Sequence, residues 1–187
     1  MTFTVCGVKI KVEFLFTATV ALLTLIDTLG VVWMSFFAVA VHELGHILAM
    51  LALRIKIKQI SLSSCGVLIK SECNFDFAKA ISVAAAGPTA NFICALLITD
   101  RTVGNVMLLT GIFNLIPVHG TDGGDIFTLV CRRIFGMSKA DWMFTAVSTL
   151  FALVIAAAGL YLLVYCKNPT MLAAAVYFFT MTVASVI

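Results

Sequence analysis

Apolar runs of fourteen or more residues, separated by short polar links, dominate this chain, and near-alternation of apolar and polar positions marks a stretch after the second of them. The runs predict helices over about Phe14 to Leu29, Val31 to Leu53, Ala78 to Ile98, Val103 to Ile116, Met143 to Tyr165 and Met171 to the end. Between Arg54 and Asp76, Ile55, Ile57, Ile60 and Leu62 interleave with Lys56, Lys58, Gln59 and Ser61. Ser63-Ser64-Cys65-Gly66 then offers a turn before Val67-Leu68-Ile69, so this stretch reads as a β-hairpin at a membrane surface. Ile126 to Met137, with Arg132 and Arg133 beside Ile126, Phe127, Leu129 and Ile134, reads as an amphipathic helix at the interface.

Composition turns those runs into membrane spans. Of 187 residues, 62% are hydrophobic and 11% charged, and the mean hydropathy is +1.13, beyond what a water-facing surface carries. Lipid demands that every backbone polar group be satisfied internally, and continuous rather than alternating runs select helices over a barrel. The expected fold is therefore an all-α polytopic membrane protein of about six transmembrane helices, with a short β-hairpin-like loop after the second. A net charge of +3 gives no reason to expect nucleic acid. Its distribution says more: six spans put Lys9, Lys11, Arg54, Lys56, Lys58, Lys70, Lys79, Arg132, Arg133 and Lys139 on one side, ten of twelve basic residues, with Arg101 and Lys167 opposite. By the positive-inside tendency the N-terminus and both large loops are cytoplasmic.

Six cysteines (Cys6, Cys65, Cys73, Cys94, Cys131, Cys166) lie scattered without a CxxC pair, and free thiols are expected. Lys9 and Lys11 ahead of an apolar segment resemble a signal peptide. The segment lacks a convincing A-x-A cleavage site and runs into Asp27 and a second span, so it is read as a retained first helix.

Three features exceed what a membrane helix requires. His42-Glu43-Leu44-Gly45-His46 lies within the second span, and residues four apart share a helix face, so both histidines can hold one metal with Glu43 beside them. An ionisable group at mid-bilayer costs about 2.5 to 3.5 kcal/mol on insertion scales, which weighs against chance. The third span carries Ala84-Ala85-Ala86-Gly87-Pro88-Thr89-Ala90-Asn91, small residues that permit close helix contact. The fourth breaks at Pro117 into a segment holding Asn114, His119, Asp122, Gly123, Gly124 and Asp125. A catalytic zinc takes three protein ligands and leaves one position for water. With His42 and His46 supplying two, His119, Asp122 and Asp125 are the candidates for the third. At 1.5 Å per residue the histidines lie roughly 12 to 15 Å inside the cytoplasmic end of their span, and the aspartate segment descends toward that end.

In this order, His42-Glu43-Leu44-Gly45-His46, Gly87-Pro88-Thr89-Ala90-Asn91 and the Asn114-x-x-Pro117-x-x-x-x-Asp122-Gly123-Gly124 pattern resemble the site-2 protease family of intramembrane metalloproteases. The chain looks most like that family's sporulation-factor (IVFB) branch, with compact spans and no PDZ insertion. Thr121 stands where the family often has leucine, and the cytoplasmic CBS domain that many of that branch carry at the C-terminus is not expected here. The resemblance implies one membrane-embedded metalloprotease domain over 1–187 with its catalytic core at 31–125. It also implies one zinc per chain held by His42, His46 and Asp122, with Glu43 as general base. Asn91, Asn114, Pro117 and His119 are candidates for substrate or oxyanion contact, and Asp125 for capping the following helix. The implied setting is a bacterial inner membrane, with a membrane-associated protein as substrate and inhibitory or regulatory membrane proteins as partners. For the sporulation branch that substrate is a tethered pro-sigma factor. A zinc transporter or a non-catalytic scaffold is the alternative, and neither gives Glu43 a task.

Overall fold

The computed structural model describes residues 1–5, 7–27, 30–63, 66–71, 76–167 and 170–184. Cys6, Cys65 and Cys73, the turn at 64–65 and the turn at 168–169 lie outside them. Among the described cysteines, Cys94 and Cys131 are shielded to differing degrees and Cys166 is exposed, each without a disulfide. The described residues form four strands, β1 (Thr2–Val5), β2 (Val8–Val12), β3 (Ile57–Ser63) and β4 (Gly66–Ser71), and seven helices. The helices are α1 (Phe14–Ile26), α2 (Val31–Ala52), α3 (Phe77–Leu97), α4 (Arg101–Asn114), α5 (Asp122–Phe135), α6 (Met137–Cys166) and α7 (Thr170–Ala184). They fall into two compact units, Met1–Gly111 and Ile112–Ile187.

In the first unit the expected hairpin is present as β3 and β4, but it belongs to a larger sheet. The order is β1-β2-β3-β4: β1 pairs antiparallel with β2, β2 parallel with β3, and β3 antiparallel with β4. The description of the chain as all-α is corrected accordingly. Residues 2–12 were not expected to form strands, although Val8-Lys9-Ile10-Lys11-Val12 alternates as a half-buried strand must. Register places Ile10, Ile60 and Ile69 side by side on the less exposed face, and Lys9, Gln59 and Lys70 on the other. A parallel β2–β3 pair needs a long crossover, and α1 and α2 provide it.

Three helices, α2, α3 and α6, are long and apolar enough to cross a membrane. α1, α4 and α7 coincide with the other three expected spans but have 13, 14 and 15 residues. At 1.5 Å per residue their described residues extend about 20 to 23 Å, against a hydrocarbon core of roughly 30 Å. Many of the large exposed side chains are apolar, among them Leu44, Leu48 and Leu51 on α2 and Leu150, Leu153 and Val154 on α6. The chain is thus a membrane protein whose outward faces are suited to lipid rather than water.

Within the first unit α2 packs on α3 through small residues. A Cβ on Gly45 would lie 2.6 Å from the carbonyl oxygen of Ala86 and 2.8 Å from Cβ of Ala90. Pro88 continues within α3, fully buried. The second unit is built around α6 and α7, with Val118, Ala152, Ile155, Ala175 and Phe178 as its buried apolar cluster. α5 begins at Asp122 rather than Ile126 and ends at Phe135. Gly136, at φ 82° and ψ 167°, makes a turn into α6 that a side chain would strain.

Candidate metal centre

α2 carries the histidines. His42 and His46 are buried, their rings meet edge to face at 80° with centroids 4.8 Å apart, and the two Nε2 atoms are 3.2 Å apart. His46 Nδ1 lies 2.8 Å from the carbonyl oxygen of Val83 on α3. A carbonyl can only accept, so Nδ1 carries the proton and Nε2 keeps its lone pair. Zinc fits this pair. Two nitrogens bound at 2.0–2.1 Å with a tetrahedral angle stand about 3.3 Å apart, close to the observed separation. The backbone acceptor behind His46 is the support that ligating histidines commonly have.

Gly87 sets the clearance. A Cβ there would collide with His46 Nε2 and would lie 2.7 Å from His46 Cε1 and 2.8 Å from His42 Cε1. The glycine of the Gly87-Pro88 motif is thus what lets α3 lie against both rings. Asn91, one turn further along α3, is fully buried with Nδ2 3.4 Å from His42 Nδ1. Glu43 is half-buried on the same helix as the histidines.

Asp122 belongs to the second unit and is the first residue of α5. The segment leading to it is held at four points. Pro117 has no N–H with which to prolong α4 and biases Ile116 away from helix, so the chain turns there. Val118 is fully buried in the α6–α7 cluster. The His119 N–H donates to Ser148 Oγ at 3.1 Å, and Ser148 Oγ pairs with Thr182 Oγ1 at 3.0 Å. Thr121 is buried and caps α5, accepting from the Gly124 N–H at 3.2 Å while its hydroxyl donates toward the carbonyls of Ile116 (2.6 Å) and Val118 (2.8 Å).

The glycines after Asp122 are both buried. A Cβ on Gly123 would strike the Leu115 carbonyl, and one on Gly124 the Val118 carbonyl. They close the loop on itself. Asp122 and Asp125 in the first turn, with Arg132 and Arg133 in the last, match the helix dipole at both ends; Thr121, not Asp125, is the cap. His119 is half-buried with its ring 4.2 Å from that of Phe144, and burial lowers its pKa below the ordinary imidazole value. Asn114 ends α4, half-buried. From the sequence Thr121 stands out only as a departure from the family pattern, and Ser148 carries no assigned role. The threonine directly before Asp-Gly-Gly was a legible capping signal, whereas a serine inside an apolar helix was not.

The described fold is that of a known protease. The chain superimposes on the Site-2 Protease from Methanocaldococcus jannaschii with a TM-score of 0.70, covering 97% of this chain and 93% of that one at 21% identity. In sequence it is similar to the "Putative zinc metalloprotease" of Synechocystis sp., with 32% identity over 118 residues, 54% of this chain. The chain spans about a third (31%) of the length of that relative. No family model matches the chain.

Proposed function

We propose that this chain is a site-2-type intramembrane zinc endopeptidase, hydrolysing a peptide bond of a membrane-associated protein near the cytoplasmic face. The observation that carries the reading is the His42–His46 pair: two buried imidazoles on a span-length helix, Nε2 atoms 3.2 Å apart, with Glu43 between them in sequence. The fold likeness and the Synechocystis relative support it. In this reading Asp122 is the third ligand, and its place at the start of α5, where the helix dipole favours a carboxylate, suits that role.

Zinc held there supplies a Lewis acid that acidifies a water and polarises the scissile carbonyl. Glu43 does the proton work, accepting a proton from the attacking water and delivering it to the leaving amide nitrogen. His46 keeps its donor lone pair because Val83 fixes the other ring nitrogen. Asn114, Pro117 and His119 line the approach to Asp122 in sequence and remain candidates for substrate contact.

The wider reading follows from the pattern of the chain. Residues 31–125 form the catalytic core of a single 1–187 membrane domain, and α1, α4 and α7 join α2, α3 and α6 as spans. The distribution of basic residues supports a cytoplasmic N-terminus, and the resemblance to the sporulation-factor branch supports a bacterial inner membrane. β4 lies at one edge of the sheet, which supports pairing of an unwound substrate segment by strand addition. The compact pattern without a PDZ insertion favours the sporulation-factor branch, with a tethered pro-sigma factor as substrate and membrane proteins that hold the protease silent.

The test is zinc content and cleavage of a membrane-tethered substrate, wild type beside Glu43→Gln and Asp122→Ala. Zinc near one per chain in wild type and Glu43→Gln, its loss in Asp122→Ala, and no cleavage by Glu43→Gln are expected. Peptidase activity retained in Glu43→Gln overturns the assignment.

A further inference from the structure

The amide of Asn91 is fully buried on α3, and as oriented its Nδ2 faces His42 Nδ1 at 3.4 Å while its Oδ1, also buried, has no hydrogen-bond partner among the described residues. A buried acceptor without a donor costs about 1 to 3 kcal/mol. The amide oxygen and nitrogen are nearly interchangeable in shape, so which of them faces the ring is settled by hydrogen-bond chemistry rather than by outline.

Two arrangements of the same side chains are consistent with these distances. In the first, Asn91 Nδ2–H donates to His42 Nδ1, His42 Nε2–H donates to His46 Nε2, and His46 Nδ1–H donates to Val83. That chain of bonds uses up His42 Nε2 as a donor, and the ring has no lone pair to offer a metal. In the second, the amide is reversed: Asn91 Oδ1 accepts from His42 Nδ1–H, and the Nε2 lone pairs of both histidines converge. Val83 is fixed as an acceptor, so His46 is the same in both. The orientation of the Asn91 amide distinguishes them.

We infer that Asn91 is a positioning residue for the metal, its side-chain oxygen holding His42 in the Nδ1–H tautomer so that Nε2 can ligate. The inference rests on the zinc reading above and assigns Asn91 to the ligand rather than to the substrate. Each histidine then has its own acceptor on α3, a backbone carbonyl for His46 and a side-chain carbonyl for His42, spaced two helical turns apart at Val83 and Asn91. Gly87, midway between them, leaves room for both rings.

The measurement is zinc affinity by chelator competition on the detergent-purified full chain, comparing wild type, Asn91→Asp and Asn91→Leu. Aspartate keeps the acceptor and removes the donor; leucine removes both at similar volume. Asn91→Asp is expected to bind zinc at least as tightly as wild type, and Asn91→Leu about 10- to 100-fold more weakly, the usual cost of losing such a support. Equal weakening in both variants, or none in Asn91→Leu, overturns the inference. Independently of either variant, nitrogen-15 spectra of the wild-type zinc form should show His42 protonated at Nδ1; an unprotonated Nδ1 overturns it as well. A wild-type chain that binds no stoichiometric zinc overturns the function reading and this assignment with it. Zinc in wild type with an unaffected Asn91→Leu overturns this assignment alone.

Discussion

Replacing Gly87 with alanine sets helix propensity against clearance at the metal pair. Alanine is favoured over glycine inside a helix by about 1 kcal/mol, so on propensity alone Gly87→Ala would stabilise α3. The new Cβ would lie 2.7 Å from His46 Cε1 and 2.8 Å from His42 Cε1, and closer still to His46 Nε2. Carbon–carbon contacts are optimal at about 3.5 to 4.0 Å, so the rings or the helices must give way by roughly 0.7 Å or more. Overpacking of this kind costs about 1 to 3 kcal/mol, which leaves the metal-free protein between unchanged and about 2 kcal/mol less stable. Metal ligation is far less forgiving, because ligand distances hold to within about 0.2 Å. Zinc affinity should therefore fall by roughly 100-fold or more, beyond the 10- to 100-fold typical of a lost supporting contact. The assay is chelator competition on the full chain in detergent, with thermal unfolding of the zinc-free form measured in parallel. Gly104→Ala serves as the control, since its Cβ would meet nothing nearer than the Ala95 carbonyl at 3.4 Å. It should leave zinc binding unchanged and gain up to about 1 kcal/mol of stability. Zinc affinity in Gly87→Ala equal to that of Gly104→Ala would refute the view that Gly87 clears space for the metal pair.

Two further substitutions probe the loop that presents Asp122. Thr121→Val keeps the shape but removes the cap on α5, and should cost about 0.5 to 2 kcal/mol in thermal unfolding, with Thr121→Ser restoring most of it; equal melting of all three forms would show that the cap carries no weight. Ser148→Ala takes the acceptor from the His119 N–H, and an unpaired buried donor should cost about 1 to 3 kcal/mol. A melting temperature unchanged in Ser148→Ala would mean that the loop is held by Val118 and Thr121 without help from α6.

Much of the candidate site could be read from residue order because its chemistry is local. The His42–His46 spacing is a property of one helix turn, and the cost of burying Glu43 in an apolar run follows from its neighbours in the chain. The hairpin at 57–71 was legible for the same reason, since alternation is a two-residue pattern. The alternation of β2 spans only five residues and abuts a long apolar run, so its local pattern is weak beside that of the helix that follows. The parallel pairing of β2 with β3 joins segments some fifty residues apart, and no local pattern encodes it.

The sequence by itself determined a membrane protein, the positions of its helices and the residue types able to hold zinc, since hydropathy and helical period depend only on neighbours along the chain. Tertiary structure decided which atoms those residues use. That Val83 accepts from His46 Nδ1, that Gly87 clears both rings, that Asn91 faces His42 and that Ser148 holds the His119 backbone are contacts between segments far apart in sequence. Their distances depend on how closely two helices pack, which small residues permit and no spacing along one chain can state.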